Sequence, residues 1–98
     1  DTSTIDSFVK EEHIERVDII KIDTEGHELN IVKGGSLTIE KDRPIIAIEV
    51  SEKNRTSLEL FFKKLHYDFH ETSDKGFKMT KNINSGQNLC FFIPKKVI

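Results

Sequence analysis

The chain is short of the residues that build covalent or membrane frameworks. It has one cysteine, Cys90, among 98 residues, so no internal disulfide can form. That suits a reducing, cytoplasmic setting. No apolar run approaches the roughly 20 residues that a membrane helix needs, and the first residues show no signal-peptide pattern. Neither sign of charge dominates. Fifteen Lys and Arg against seventeen Asp and Glu leave a net charge of −2, which gives no reason to expect a nucleic-acid partner or an anionic membrane surface. Repeats and low-complexity tracts are missing as well.

What is present is a soluble-type composition, 36% hydrophobic and 33% charged. A chain of this length buries a modest fraction of its surface around a thin core. It starts at Asp1 without a methionine, and its first residues read as the middle of something longer. The expectation is one partial domain over residues 1–98.

Ile5, Phe8 and Val9 recur at helical spacing, with Thr4 or Asp6 able to cap the start, so a short helix is expected to end near Ile14. Val17 to Ile22 is a near-continuous apolar run, read as a strand covered on both faces as in parallel sheets. Lys21 interrupts it and should turn its ammonium to an edge. A helix follows Glu25-Gly26 and runs through Lys33, with Gly34 as its left-handed terminator. Leu37 and Ile39 add a further apolar turn. Pro44 opens a second apolar strand, Ile45 to Val50. Leu58, Phe61, Phe62 and Leu65 mark an amphipathic helix. Tyr67 to Glu71 alternates like a strand, Asp74-Lys75-Gly76 is turn chemistry, Phe77 to Gln87 reads as a loop with some strand, and Asn88 to Pro94 is a final strand. Strands alternating with helices predict an α/β fold with right-handed crossovers. The last two strands lie too close for an intervening helix and are expected to be antiparallel.

The stretch Val17 to Gly35 carries the chemistry. Its strand runs into Asp23, Glu25, a glycine and Glu28, and open parallel sheets bind ligands beyond the carboxyl ends of their strands. Lys21-Ile22-Asp23-Thr24-Glu25-Gly26-His27-Glu28, followed by Leu29, Val32 and Gly34, closely resembles the FkbM family of S-adenosylmethionine-dependent methyltransferases. Thr4-Ile5-Asp6 resembles a T-L-D that the family places upstream. Arg43-Pro44 with Ile48-Glu49-Val50 resembles its proline-led strand ending in glutamate, and Asn88 to Pro94 its closing strand.

The resemblance implies the C-terminal half of a Rossmann-like class I methyltransferase sheet, strand order 4-5-7-6, with the last strand antiparallel. It implies O-methyl transfer from S-adenosylmethionine to a hydroxyl of a small-molecule or glycan acceptor, such as a sugar or a polyketide-like compound. The family's glycine-rich loop and its acidic ribose partner have no counterpart here, since the five glycines form no G-x-G. Most of the cofactor-binding half is therefore expected to lie outside this chain, which alone should not bind the cofactor tightly. A non-catalytic half-domain acting as a binding or assembly module is the alternative.

Candidate residues follow from the resemblance. Asp23, Glu25 and His27 are candidates for catalysis, because transfer to oxygen needs the hydroxyl deprotonated. Asp23 and Gly26 are candidates for the cofactor, and Glu28 and Glu49 for the substrate; no metal site is assigned. Each has a plainer reading. Asp23 can cap a helix, Glu25 and Glu28 can complement a helix dipole, and His27 can be solvated. Glu49, taken as buried, can pair with Lys21 or a backbone donor. Cys90 reads as a small buried hydrophobe, and Asn54-Arg55-Thr56 as a glycosylation match of no consequence. The exposed strand 17–23 is expected to pair with a second copy as a homodimer, unless residues 1–14 fold over it.

Overall fold

The computed structural model describes residues 3–24, 26–73, 76–83 and 89–95. The elements in chain order are α1 (Ile5–Glu11), β1 (Ile19–Ile22), α2 (Glu28–Lys33), α3 (Ser36–Asp42), β2 (Ile45–Glu49), a 3₁₀ turn (Glu52–Asn54), α4 (Arg55–Lys64), β3 (Tyr67–Ser73), β4 (Gly76–Thr80) and β5 (Leu89–Pro94). The chain is therefore mixed α/β, with one five-stranded sheet in the order β1-β2-β5-β3-β4. β1 and β2 are parallel, with Ile20 opposite Ile46 and Ile22 opposite Ile48. β5 is antiparallel to both its neighbours, β2 and β3.

One face of the sheet carries the core. Strand alternation puts Ile22, Ile46, Ile48, Cys90, Phe92, Tyr67 and Phe69 on it. They form one cluster with Val32 of α2, Ile39 of α3, and Leu58 and Phe62 of α4. Phe62 is the hub, its ring 4.2 Å from Phe92 and 5.2 Å from Tyr67. The opposite face is covered less well. Ile19, Ile45 and Met79 lie there, 68%, 38% and 62% exposed. This corrects the expectation of a strand covered on both faces: β1 is buried through Ile22, while Ile19 faces out. Its outer edge also has no ladder partner among the described residues, and α1 lies against α3.

The N-terminal segment shows why both of its capping candidates are needed. Thr4 Oγ1 accepts the backbone N–H of Ser7 and starts α1. Asp6 instead caps a different helix. Its carboxylate accepts the backbone N–H groups of Leu37 and Thr38, and the Thr38 hydroxyl at 2.7 Å, at the start of α3. α1 ends at Glu11, short of Ile14. Gly34 is not the left-handed terminator its position suggested. Its φ is −71, and the space it leaves lets Thr4 pack 3.1 Å from where a side chain would begin. The apolar turn at Leu37 and Ile39 is a full helix, α3.

The segment read as a loop with some strand opens on a full strand, β4. β4 pairs along β3 from Ser73–Gly76 to Phe69–Thr80, and Ile83 is buried in the core. At five residues, with alternation confined to Phe77 and Met79, β4 carries only a short periodic signal. Residues 84–88 lie outside the described ones.

At the end of the sheet where β2 begins, Arg43 ties three elements. It takes a left-handed conformation, φ 52, after α3. Its guanidinium donates to the carbonyls of Leu65 and His66 at the end of α4 and lies 4.8 Å from the Tyr67 ring centre. The Tyr67 hydroxyl in turn donates to the Pro44 carbonyl at 2.7 Å, and burial pushes its pKa up to about 12. Replacing Arg43 by Ala should cost about 2 kcal/mol, since a charged donor to two carbonyls is lost. Arg43→Lys should recover less than half, because an ammonium lacks the planar fork. Urea denaturation of the two variants checks this; wild-type stability in Arg43→Ala would reject the clamp.

Candidate functional site

β1 and β2 are neighbouring parallel strands, and both end at the same rim of the sheet. The register that places Ile22 opposite Ile48 brings Asp23 and Glu49 to adjacent strand ends. Both are exposed. Glu49 was taken to be buried within its strand; it lies on the outer face, away from Ile48, so it bears no burial cost. Among the described residues no group of three or more His, Cys, Asp or Glu gathers to hold a metal ion.

Beyond Asp23 the chain turns sharply into α2. Gly26 has φ +89, a region where an L side chain is strained. A side chain there would also start 2.8 Å from the Lys53 Cε and 2.9 Å from its Nζ, so the lysine from the 3₁₀ turn lies over the glycine. His27 occupies the N-cap position of α2, makes no side-chain capping bond, and is exposed. Glu25 lies outside the described residues.

Glu28 behaves differently from its neighbours. It is fully buried, 0% exposed. Its Oε1 accepts the Ser51 backbone N–H at 2.7 Å and the Ser51 hydroxyl at 2.6 Å. Asn54, also buried, donates its amide to the Gly26 carbonyl at 3.1 Å and to Ser51 Oγ at 3.3 Å. The loop after β1 and the loop after β2 are therefore tied by a continuous, partly buried chain: Glu28, Ser51, Asn54, Gly26. Burial alone would raise the Glu28 pKa, but the bonds from Ser51 together with the backbone groups of Glu28 and Gly26 outweigh it and hold the carboxyl below its ordinary value.

The structure thus brings Asp23, Gly26, His27, Glu28 and Glu49 to one rim. It exposes Asp23, His27 and Glu49, and turns Glu28 inward. Sequence reasoning missed Ser51 altogether and saw Asn54 only as a glycosylation match. Burial of the Asn54 amide leaves it inaccessible to such a modification. The signal available was the S-x-x-N spacing just ahead of an amphipathic helix, where short polar side chains bond to backbone. Cys90 lies in the core, and burial with the nearby Glu71 charge pushes its thiol up to about 12, so it is no thiolate at neutral pH.

The Glu28 bonds give a pH signature. A carboxyl held below its unfolded pKa adds stability that is complete above that unfolded value and is lost as pH falls through the folded one. Glu28→Gln should therefore be less stable than wild type at neutral pH by roughly 1.5–3 kcal/mol, the worth of a charged hydrogen bond. The gap should close on acidification below about pH 4.5. Denaturation curves of both proteins across that range test it, and a pH-independent gap would count against the assignment.

No helix of the described residues is long and apolar enough to cross a membrane. No curated protein and no solved structure matches the chain significantly. The family model of the methyltransferase FkbM domain matches residues 1–79, which takes in β1 and β2, the acidic turn between β1 and α2, and the Ser51–Asn54 turn. The chain belongs to the FkbM methyltransferase family.

Proposed function

We propose that the chain is part of an S-adenosylmethionine-dependent O-methyltransferase, acting on a hydroxyl of a sugar or polyketide-like acceptor in a cytoplasmic setting. The observation that carries this reading is the acidic turn at the joint carboxyl ends of two neighbouring parallel strands, the place where open α/β sheets act on ligands. On this reading β1, β2, β5 and β3 correspond to strands 4, 5, 7 and 6 of a class I methyltransferase sheet, with β4 added at the edge.

When bound, S-adenosylmethionine supplies an electrophilic methyl group. Asp23 and Gly26, at the end of β1, would form one wall of such a donor site. The chain's own part concerns the acceptor. A hydroxyl must shed its proton as its oxygen gains the methyl group, and Asp23 and His27 are both exposed at the rim to accept that proton. Glu49, on the adjacent strand end, is placed to accept a hydrogen bond from a second acceptor hydroxyl.

The second reading, a non-catalytic half-domain that binds or assembles with another surface, draws on the exposed Ile19, Ile45 and Met79 of the outer sheet face. Calorimetric titration with S-adenosylhomocysteine, on this chain and on one extended at its N-terminus, separates the two. Saturable binding by the extended chain supports the enzyme; none by either supports the module. In an active extended chain, Asp23→Ala should lower methyl transfer by roughly a hundredfold or more. Its unfolding free energy should stay within about 0.5 kcal/mol of wild type, because Asp23 is exposed. Undiminished transfer would remove Asp23 from the reaction.

A further inference from the structure

We infer that Ser51 and Asn54 are positioning residues for the acidic turn, acting with Glu28 as a partly buried strap that fixes the Gly26 backbone and so the placement of His27 relative to Asp23. The strap deepens the methyltransferase reading and rests on it for its functional meaning.

The donors and acceptors fit only one way. The Gly26 carbonyl can only accept, so the Asn54 atom facing it must be the NH₂ nitrogen. That nitrogen has two protons: one serves Gly26 and the other Ser51 Oγ. Ser51 Oγ, accepting from Asn54, is left with its own proton to donate, and that proton goes to the Glu28 carboxylate. A carboxylate accepts without donating, so Glu28 is the natural end of the chain. With no exposed surface it has no access to an acceptor molecule, and the geometry makes it the strap's anchor instead of a substrate contact.

The place where the strap grips matters as much as its bonds. Gly26 is the positive-φ residue between Asp23 and His27, so its torsions set how the chain carrying His27 leaves the strand end that carries Asp23. The Ser51–Asn54 segment holds it from two sides, by the Asn54 amide on its carbonyl and by Lys53 across its open face. A tie made only for stability could join these loops anywhere. This one acts on the residue whose backbone aims the candidate base.

The test uses Asn54→Ala, Asn54→Asp, Ser51→Ala and Ser51→Thr in the 98-residue chain, with backbone amide exchange and chemical shifts read by nuclear magnetic resonance. Asn54→Asp is informative because its carboxylate cannot donate to the Gly26 carbonyl. The expected result is that Asn54→Ala, Asn54→Asp and Ser51→Ala shift the Gly26 and His27 amides. Exchange at Ile31, whose N–H bonds the His27 carbonyl, should speed up at least tenfold. Amides of β5 and β3 should stay within threefold, and Ser51→Thr should remain like wild type. Unchanged turn amides, or an equal acceleration throughout the sheet, would overturn the proposal.

The functional arm uses the N-terminally extended chain and methyl transfer from S-adenosylmethionine. There Asn54→Ala and Ser51→Ala should lower kcat at least tenfold with KM for the donor unchanged, and Ser51→Thr should keep the wild-type kcat. An extended wild-type chain that neither binds S-adenosylhomocysteine nor transfers methyl would sink the methyltransferase reading, while the exchange data still decide whether the strap orders the turn.

Discussion

A carboxylate with no exposed surface must have its hydrogen bonds supplied by the protein, or it costs several kcal/mol. Glu28 meets that demand at Oε1, with two donors from one residue, Ser51, which lies on a different strand connection, while Oε2 is buried without a partner among the described residues. The consequence is geometric. The start of α2 cannot move relative to the end of β2 without exposing or orphaning the charge. Because β1 leads into α2, and β2 into the Ser51 turn, a single bonded pair sets the spacing of the two connections that form the rim of the site. The parallel register of β1 and β2 and the strap across their ends are mutually reinforcing.

The opposite end of β2 is fixed by a different device, and the contrast is instructive. There the partners are carbonyls left over at the end of α4, and Arg43 collects two of them while stacking on Tyr67. A guanidinium that remains partly exposed pays little for its position, whereas Glu28 is committed to the interior. β2 is thus anchored at one end by a buried anion and at the other by a half-exposed cation, with Ile46 and Ile48 between them in the core. The strand that carries Glu49 is in this way held along its whole length, even though its outer face is only partly covered.

Legibility in the sequence followed the strength of the local signal. The parallel apolar strands, the amphipathic helix around Leu58 and Phe62, and the acidic turn could all be read, because period and composition coincide with burial. α3 was seen only as a turn, since its cap, Asp6, lies thirty-odd residues upstream, and a cap so distant leaves no pattern near the helix it starts. β4 was read only as a loop with some strand because it is short and its alternation is confined to Phe77 and Met79. For the site, residue type was informative and environment was not. Asp23, Glu28 and Glu49 look alike as acids in sequence, yet Glu28 is buried while Asp23 and Glu49 are exposed. Glu49 looked interior because its neighbours are apolar, but alternation turned it outward. Ser51 and Asn54 are common residues whose meaning comes only from what folds against them.

That division among the acids matches what each proposed task requires. A group proposed to take a proton from a bound hydroxyl must be reachable by ligand, and Asp23 and His27 are exposed. A group that holds a turn needs the reverse: it must stay ionised, since a protonated carboxyl accepts more weakly and the strap would slacken. The Ser51 bonds that lower the Glu28 pKa therefore stabilise the form in which the strap works. A carboxylate poised near neutrality would loosen the turn in the pH range where a base is wanted. Keeping Glu28 well ionised holds the scaffold in one form at neutral pH. Gly26, with a conformation open to few other residues, joins that scaffold to the residues on its rim.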